Sequence, residues 1–215
     1  MPTGLPKAAA PAGFISFCLR FPDQCTAPAN APSGIVETAL VWQTLSRVNS
    51  AINGAIAPED DRDHYGRAEY WTIPTDGLGD CDDYALAKRK ALIDAGFPQN
   101  ALRVAVVRTW YGERHTVLTV ATDRGDYVLD NLRPDVLAWT GADYTWVERQ
   151  AADNPWNWVD LESDGSATRI AAAEEPAVAP PTAKAGILGP RAGLEQTALL
   201  VEPQPLPAAA LRSGL

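Results

Sequence analysis

Apolar residues recur at Val41, Leu45, Val48, Ile52 and Ile56, three or four positions apart, which marks one face of a helix over about 35–56. Ser33 stands where it can cap that helix. A second helix is predicted over 81–95. Gly77 and Gly79 interrupt the chain before it, Asp82 and Asp83 suit its first turn, and Gly96 followed by Pro98 stops it. Its apolar pairs Ala85/Leu86 and Leu92/Ile93 lie seven positions apart, on one side. The pattern then turns β-like in three runs, LRVAVVR (102–108), HTVLTVAT (115–122) and DYVLD (126–130), the last two joined by a turn at Asp123-Arg124-Gly125. Helices followed by a run of hairpin strands imply an α+β fold, with N-terminal helices packed on an antiparallel sheet.

The aromatic residues bound the domain. All seven Trp fall between Trp42 and Trp158, and no aromatic residue follows the last. A folded domain over 13–165 is therefore expected, after a flexible opening at 1–12. Residues 171–215 hold 12 Ala and 7 Pro without an aromatic anchor, too little to offset ordering entropy, so 166–215 read as a disordered tail. The net charge of −9 repels phosphate backbones and anionic headgroups, and no basic patch offsets it, so nucleic acid is excluded as a partner. No apolar run approaches the ~20 residues of a membrane span, and the opening residues lack a signal-peptide pattern. Nothing points to an obligate assembly, and a monomer is expected.

Three cysteines invite a chemical reading. Cys18 and Cys25, in FCLRFPDQC, fit either a disulfide across a short loop or two neighbouring thiols. Cys81 stands alone in GLGDCDDYA, where a glycine-rich loop enters a helix; the helix N-terminus favours a thiolate and can hold an oxyanion. Asp80, Asp82 and Asp83 oppose it, because negative neighbours raise a thiol pKa. For the thiol to be activated, an imidazolium, basic side chains or a bound cation such as Ca2+ must offset them; on residue type alone, Cys81 reads as a buried small side chain and the acids as caps of the helix. His115 is the candidate base and Asp130 the acid that would orient it. A two-residue loop at Arg124-Gly125 sets Asp130 opposite Thr119, four residues from His115, roughly 13 Å away at ~3.3 Å per residue. A regular hairpin of that register leaves the two side chains apart. His64, among Glu59, Asp60, Asp61 and Asp63, reads as part of an exposed acidic loop rather than a second cation site.

The run YWTIPTDGLGDCDDYALAKRKALIDAGFP, then LRVAVVR, RHTVLTVATDRGDYVLDN and YTWVERQ, resembles the bacterial transglutaminase-like cysteine proteinase family. The likeness spans about 14–159 and includes FCLRFPDQC and the helix with RVNSAIN. It implies a papain/transglutaminase-like fold, with Cys81 as nucleophile, His115 as general base and Asp130 as orienter. The best-known branch of the family is a periplasmic protease that cuts a surface adhesin, requires Ca2+ and is restrained by a membrane receptor. By that resemblance Asp80 and Asp82 are the Ca2+ ligands, the substrate is a bacterial surface or periplasmic protein, and the location is periplasmic. Two alternatives share the fold: a transglutaminase-type acyl transferase using the same triad, and a Ca2+-binding module with an inert thiol.

Overall fold

A computed structural model of the chain describes residues 1–2, 5–26, 28 and 30–162; the expected tail at 166–215 lies outside them. In chain order the elements are β1 (Lys7–Ala8), α1 (Ala12–Arg20), α2 (Ala39–Ala55), β2 (Ala57–Pro58), α3 (Asp61–Tyr65), β3 (Leu78–Gly79), α4 (Cys81–Asp94), β4 (Leu102–Arg108), β5 (Arg114–Thr122), β6 (Gly125–Leu129), β7 (Leu137–Ala138), β8 (Thr145–Gln150) and β9 (Trp158–Asp160). Seven strands form one antiparallel sheet in the order β1-β9-β8-β4-β5-β6-β7, and β2 pairs with β3 in a separate parallel bridge. The architecture is α+β, as the pattern predicts.

The central strands β4 and β5 are buried on both faces, and their side chains alternate between two cores. Leu102, Leu118, Val120 and Leu129 pack against Leu45 of α2 and Ala85 and Leu92 of α4. Val104 and Val106 meet Phe14 and Phe17 of α1, with Trp71 and Trp158. On the opposite face Ala105, Val107, Val117 and Val128 are covered by Trp139, Ala142, Tyr144 and Trp146. The sheet is thus a wall between a helical layer and an aromatic-rich covering segment. Among the described residues no helix is long and apolar enough to cross a membrane.

Several local expectations shift. The first long helix begins at Ala39, and Thr38, not Ser33, caps it, accepting the Val41 N–H at 3.2 Å. Ser33 instead offers its carbonyl to Arg103 Nη2 at 2.6 Å. The opening residues contain β1, where Lys7 and Ala8 pair with Val159 and Trp158 of β9. Cys18 and Cys25 are joined in a buried disulfide with a Cα–Cα distance of 5.6 Å, which settles that alternative.

The hairpin register differs in a way that matters for the site. The turn residues are Asp123-Arg124, because Thr122 pairs with Gly125 and Leu118 with Leu129. Continued by one step, this register sets Asp130 opposite Val117 rather than Thr119. The offset from His115 falls from four residues to two, and the shift by an even number keeps both side chains on one face.

Candidate active site

Cys81 is the first residue of α4 and the free cysteine among the described residues; it is half-buried. Asp80 caps the helix, its Oδ1 accepting the Asp82 N–H at 3.4 Å. His115 is the second residue of β5, and Asp130 follows the last residue of β6. Both are buried, and His115 Nε2 lies 2.8 Å from Asp130 Oδ1. Cys81 and His115 line one open cleft of about 360 Å³, whose walls include Asp80, Tyr84 and the exposed Tyr111 and Leu132.

The electrostatics couple the three groups. Burial opposes a charge on His115, but hydrogen bonds and charge from Asp130 and Cys81 outweigh it and raise the imidazole to about 9. Burial likewise pushes Asp130 up, yet the hydrogen bond and charge of His115, with the Tyr144 hydroxyl and the Leu132 N–H, hold it below the usual carboxylate range. An ionised Asp130 only accepts, so the proton in this bond sits on His115 Nε2. That leaves Nδ1 as the ring nitrogen free for the thiol.

Four carboxylates crowd the start of α4. One ligand atom each from Asp80, Cys81 and Asp82 lies within 4.8 Å of the others, and the same holds for Asp61, Asp80 and Asp83. Burial raises all four acids; Asp80 adds charge against Asp61, Asp82 and Asp83, while Asp80 itself is raised further by Asp60 and Glu69 and lowered by its hydrogen bonds with Asp82. Asp83 reaches about 7, although the Thr72 N–H, donating to it at 2.7 Å, pulls the other way. Asp61 Oδ1, Asp82 Oδ1 and Asp83 Oδ2 are buried without a hydrogen bond to protein. Buried, mutually repelling oxygen donors are the ligand type of a hard divalent cation.

Residues 5–166 match the family described as bacterial transglutaminase-like cysteine proteinase, BTLCP. The chain belongs to that family. It is a transglutaminase-like cysteine peptidase, and the α+β architecture above is its fold. Among solved structures, Legionella pneumophila LapG in a calcium-bound form is 24% identical over 68% of this chain and 77% of that one, with a TM-score of 0.48. A further LapG structure is 25% identical over 71% and 81%, and an EGTA-treated one 24% identical over 71% and 83%, both with a TM-score of 0.48. No curated protein matches the chain.

Within this peptidase the structure brings Cys81, His115 and Asp130 together, with Asp80 and Asp82 beside the thiol. It also gathers residues that sequence reasoning did not nominate. Asp61 belongs to the acidic cluster: it is buried, and its Oδ2 accepts the Tyr70 N–H, so the segment around His64 is not wholly an exposed loop. His64 itself pairs with Asp76 at 2.9 Å. Asp83, expected among the acids beside the thiol but not as a Ca2+ ligand, joins Asp61 and Asp80 in that cluster. Tyr144, whose hydroxyl donates to Asp130 Oδ2, sits in the YTWVERQ run that carried the family likeness but suggested no role. Sequence spacing could not find Asp61 or Tyr144, because each meets its partner from a separate element.

Proposed function

We propose that this peptidase hydrolyses protein backbones through a Cys81–His115–Asp130 triad. The observation that carries the reading is the buried 2.8 Å bond between His115 and Asp130, set beside Cys81 at the wall of an open cleft. His115 Nδ1 takes the Cys81 proton, and the thiolate Sγ attacks the substrate carbonyl carbon. The N–H of Cys81, at the positive end of α4, supports the oxyanion. The imidazolium then gives its proton to the leaving amine as the C–N bond breaks. Water, deprotonated by His115, attacks the thioester; the acid product leaves and the thiol regains its proton. Asp130 keeps the imidazole in the required tautomer throughout.

The family resemblance implies Ca2+, and the donor set fits it. Asp80 and Asp82 would hold the ion, and Asp61 and Asp83 offer further oxygens in a second group that shares Asp80. When bound, it supplies positive charge that offsets the carboxylates crowding the thiol. The Cys18–Cys25 disulfide supports an oxidising, periplasmic setting and a bacterial surface or periplasmic protein as substrate.

The test is cleavage of a bacterial surface-protein fraction, with new N-termini identified by mass spectrometry. Wild type generates them and Cys81→Ala does not. Equal cleavage by Cys81→Ala overturns the triad, and incorporation of a labelled amine in place of new N-termini turns the reading to acyl transfer.

A further inference from the structure

Asp130 is held at every hydrogen-bonding atom. Its Oδ1 accepts from His115 Nε2 at 2.8 Å and from the Leu132 N–H at 2.9 Å, while its Oδ2 accepts from the Tyr144 hydroxyl. Its main-chain N–H donates to Asn49 Oδ1 at 3.1 Å, and its carbonyl accepts Asn53 Nδ2 at 2.9 Å. Asn49 is fully buried, and its Nδ2 also donates to the carbonyls of Arg133 and Pro134 at 3.1 and 3.0 Å. Helix α2 therefore fixes the backbone of Asp130. That leaves the orientation of the carboxylate.

A carboxylate turns easily about its last torsion, because that torsion is broad and two-fold. Donors on Oδ1 alone leave the plane free to rock; a donor on Oδ2 closes the fork. The Tyr144 ring packs against the cluster of Ala105, Val107, Val117 and Val128, and its centroid lies 5.8 Å from that of His115. Phenylalanine would supply that packing, so the hydroxyl has a separate use. Burial and the Asp130 hydrogen bond hold the phenol above its ordinary value, which keeps it a donor at any working pH.

We propose that Tyr144 is a positioning residue of the peptidase: its hydroxyl fixes Asp130 Oδ1 toward His115, and so aims the second ring nitrogen at Cys81. This rests on the triad reading above. Charged groups surround the pair: Asp80, Glu113 and Arg114 line the cleft with His115, and Asp80 and Asp82 stand beside Cys81. His115 faces Asp130 and Cys81, Asp130 also faces Lys88 of α4, and Tyr144 also faces Arg133. Tyr144 takes a share of the carboxylate charge while holding it still, so its loss has two signatures. His115 sees more negative charge, and its Nε2–H bond loosens.

The chain has two histidines, so ring-15N NMR of histidine-labelled protein resolves His115 from His64. Asp130→Asn lowers the His115 titration midpoint; failure to do so overturns the triad reading itself. Tyr144→Phe keeps the ring and moves the midpoint the opposite way, upward by about half a pH unit, while Nε2–H exchange quickens several-fold. A Tyr144→Phe protein with the wild-type midpoint and wild-type exchange, in a background where Asp130→Asn does act, overturns the positioning role alone. A purely structural hydroxyl would lower the melting temperature and move neither signal.

Discussion

His115 reaches Asp130 at 2.8 Å because the β5–β6 hairpin turns at Asp123-Arg124, which leaves the two residues a diagonal step apart on one face of the sheet. The pair is buried beside the thiol that opens α4.

The imidazolium at His115 persists to about pH 9. Peptide hydrolysis by the wild type should therefore fall as pH rises through about 9. Asp130→Asn removes the partner that raises the imidazole, so this alkaline limb moves to lower pH, and kcat/KM at pH 7 drops by about 10²-fold or more. A pH profile of the two proteins checks both the position and the depth.

Lys88 is fully buried on α4, and its Nζ has no hydrogen-bond partner. Burial lowers it from 10.5 to about 7, with Asp130 pulling weakly the other way. The unfolded chain thus binds the extra proton between those values, and this group makes stability rise with pH from about 7 to 10.5. His115 has the opposite sign: raised from 6.5 to about 9, it contributes stability fully present below 6.5 and lost as pH rises through 9. The two oppose each other between about 7 and 9. Lys88→Met should stabilise the protein at pH 6 by about 1–4 kcal/mol and leave stability falling toward pH 9. Urea unfolding at pH 6, 7.5 and 9 reads both effects, and an unaltered profile would show the ammonium to be solvated.

Calcium should bind the native state alone. Adding it to chelator-treated protein raises the melting temperature, and a hundredfold excess over Kd corresponds to about 2.7 kcal/mol. Asp80→Asn with Asp82→Asn abolishes the increment. No shift at millimolar Ca2+ contradicts the proposed ligand set.

Gly13 in α1 lies where a Cβ would stand 2.3 Å from Trp71 Cδ1. Trp71 is buried and precedes Thr72, whose N–H holds Asp83. Gly13→Ala should cost about 1–3 kcal/mol through overpacking. Gly54→Ala, in α2 with open space around it, should instead stabilise by about 0.5–1 kcal/mol. Thermal unfolding of the pair separates the clash from the helix effect.

The elements with strong periodicity were legible in the sequence: α4 and β4 to β6 lie within a residue or so of expectation, because Gly96 and the alternating Val/Leu pattern mark them locally. The register was not. In Asp123-Arg124-Gly125 any neighbouring pair can form the turn, and the choice depends on which cross-strand partners pack. The helix cap moved from Ser33 to Thr38 for a similar reason, since the Ser33 carbonyl serves Arg103. Of the residues the structure gathers, Cys81, His115, Asp130 and the acids next to Cys81 were visible through their motifs. Asp61 and Tyr144 were not, because α3 and the segment before β8 reach the site only by folding.

The triad is tested most directly by the rate of Cys81 alkylation by iodoacetamide at pH 7, with the Cys18–Cys25 disulfide intact, in wild type and His115→Ala. Wild type is expected to alkylate at least about tenfold faster than His115→Ala, because the imidazole that takes the thiol proton is missing from the variant. A thiol that alkylates like a free peptide cysteine in both proteins would contradict it.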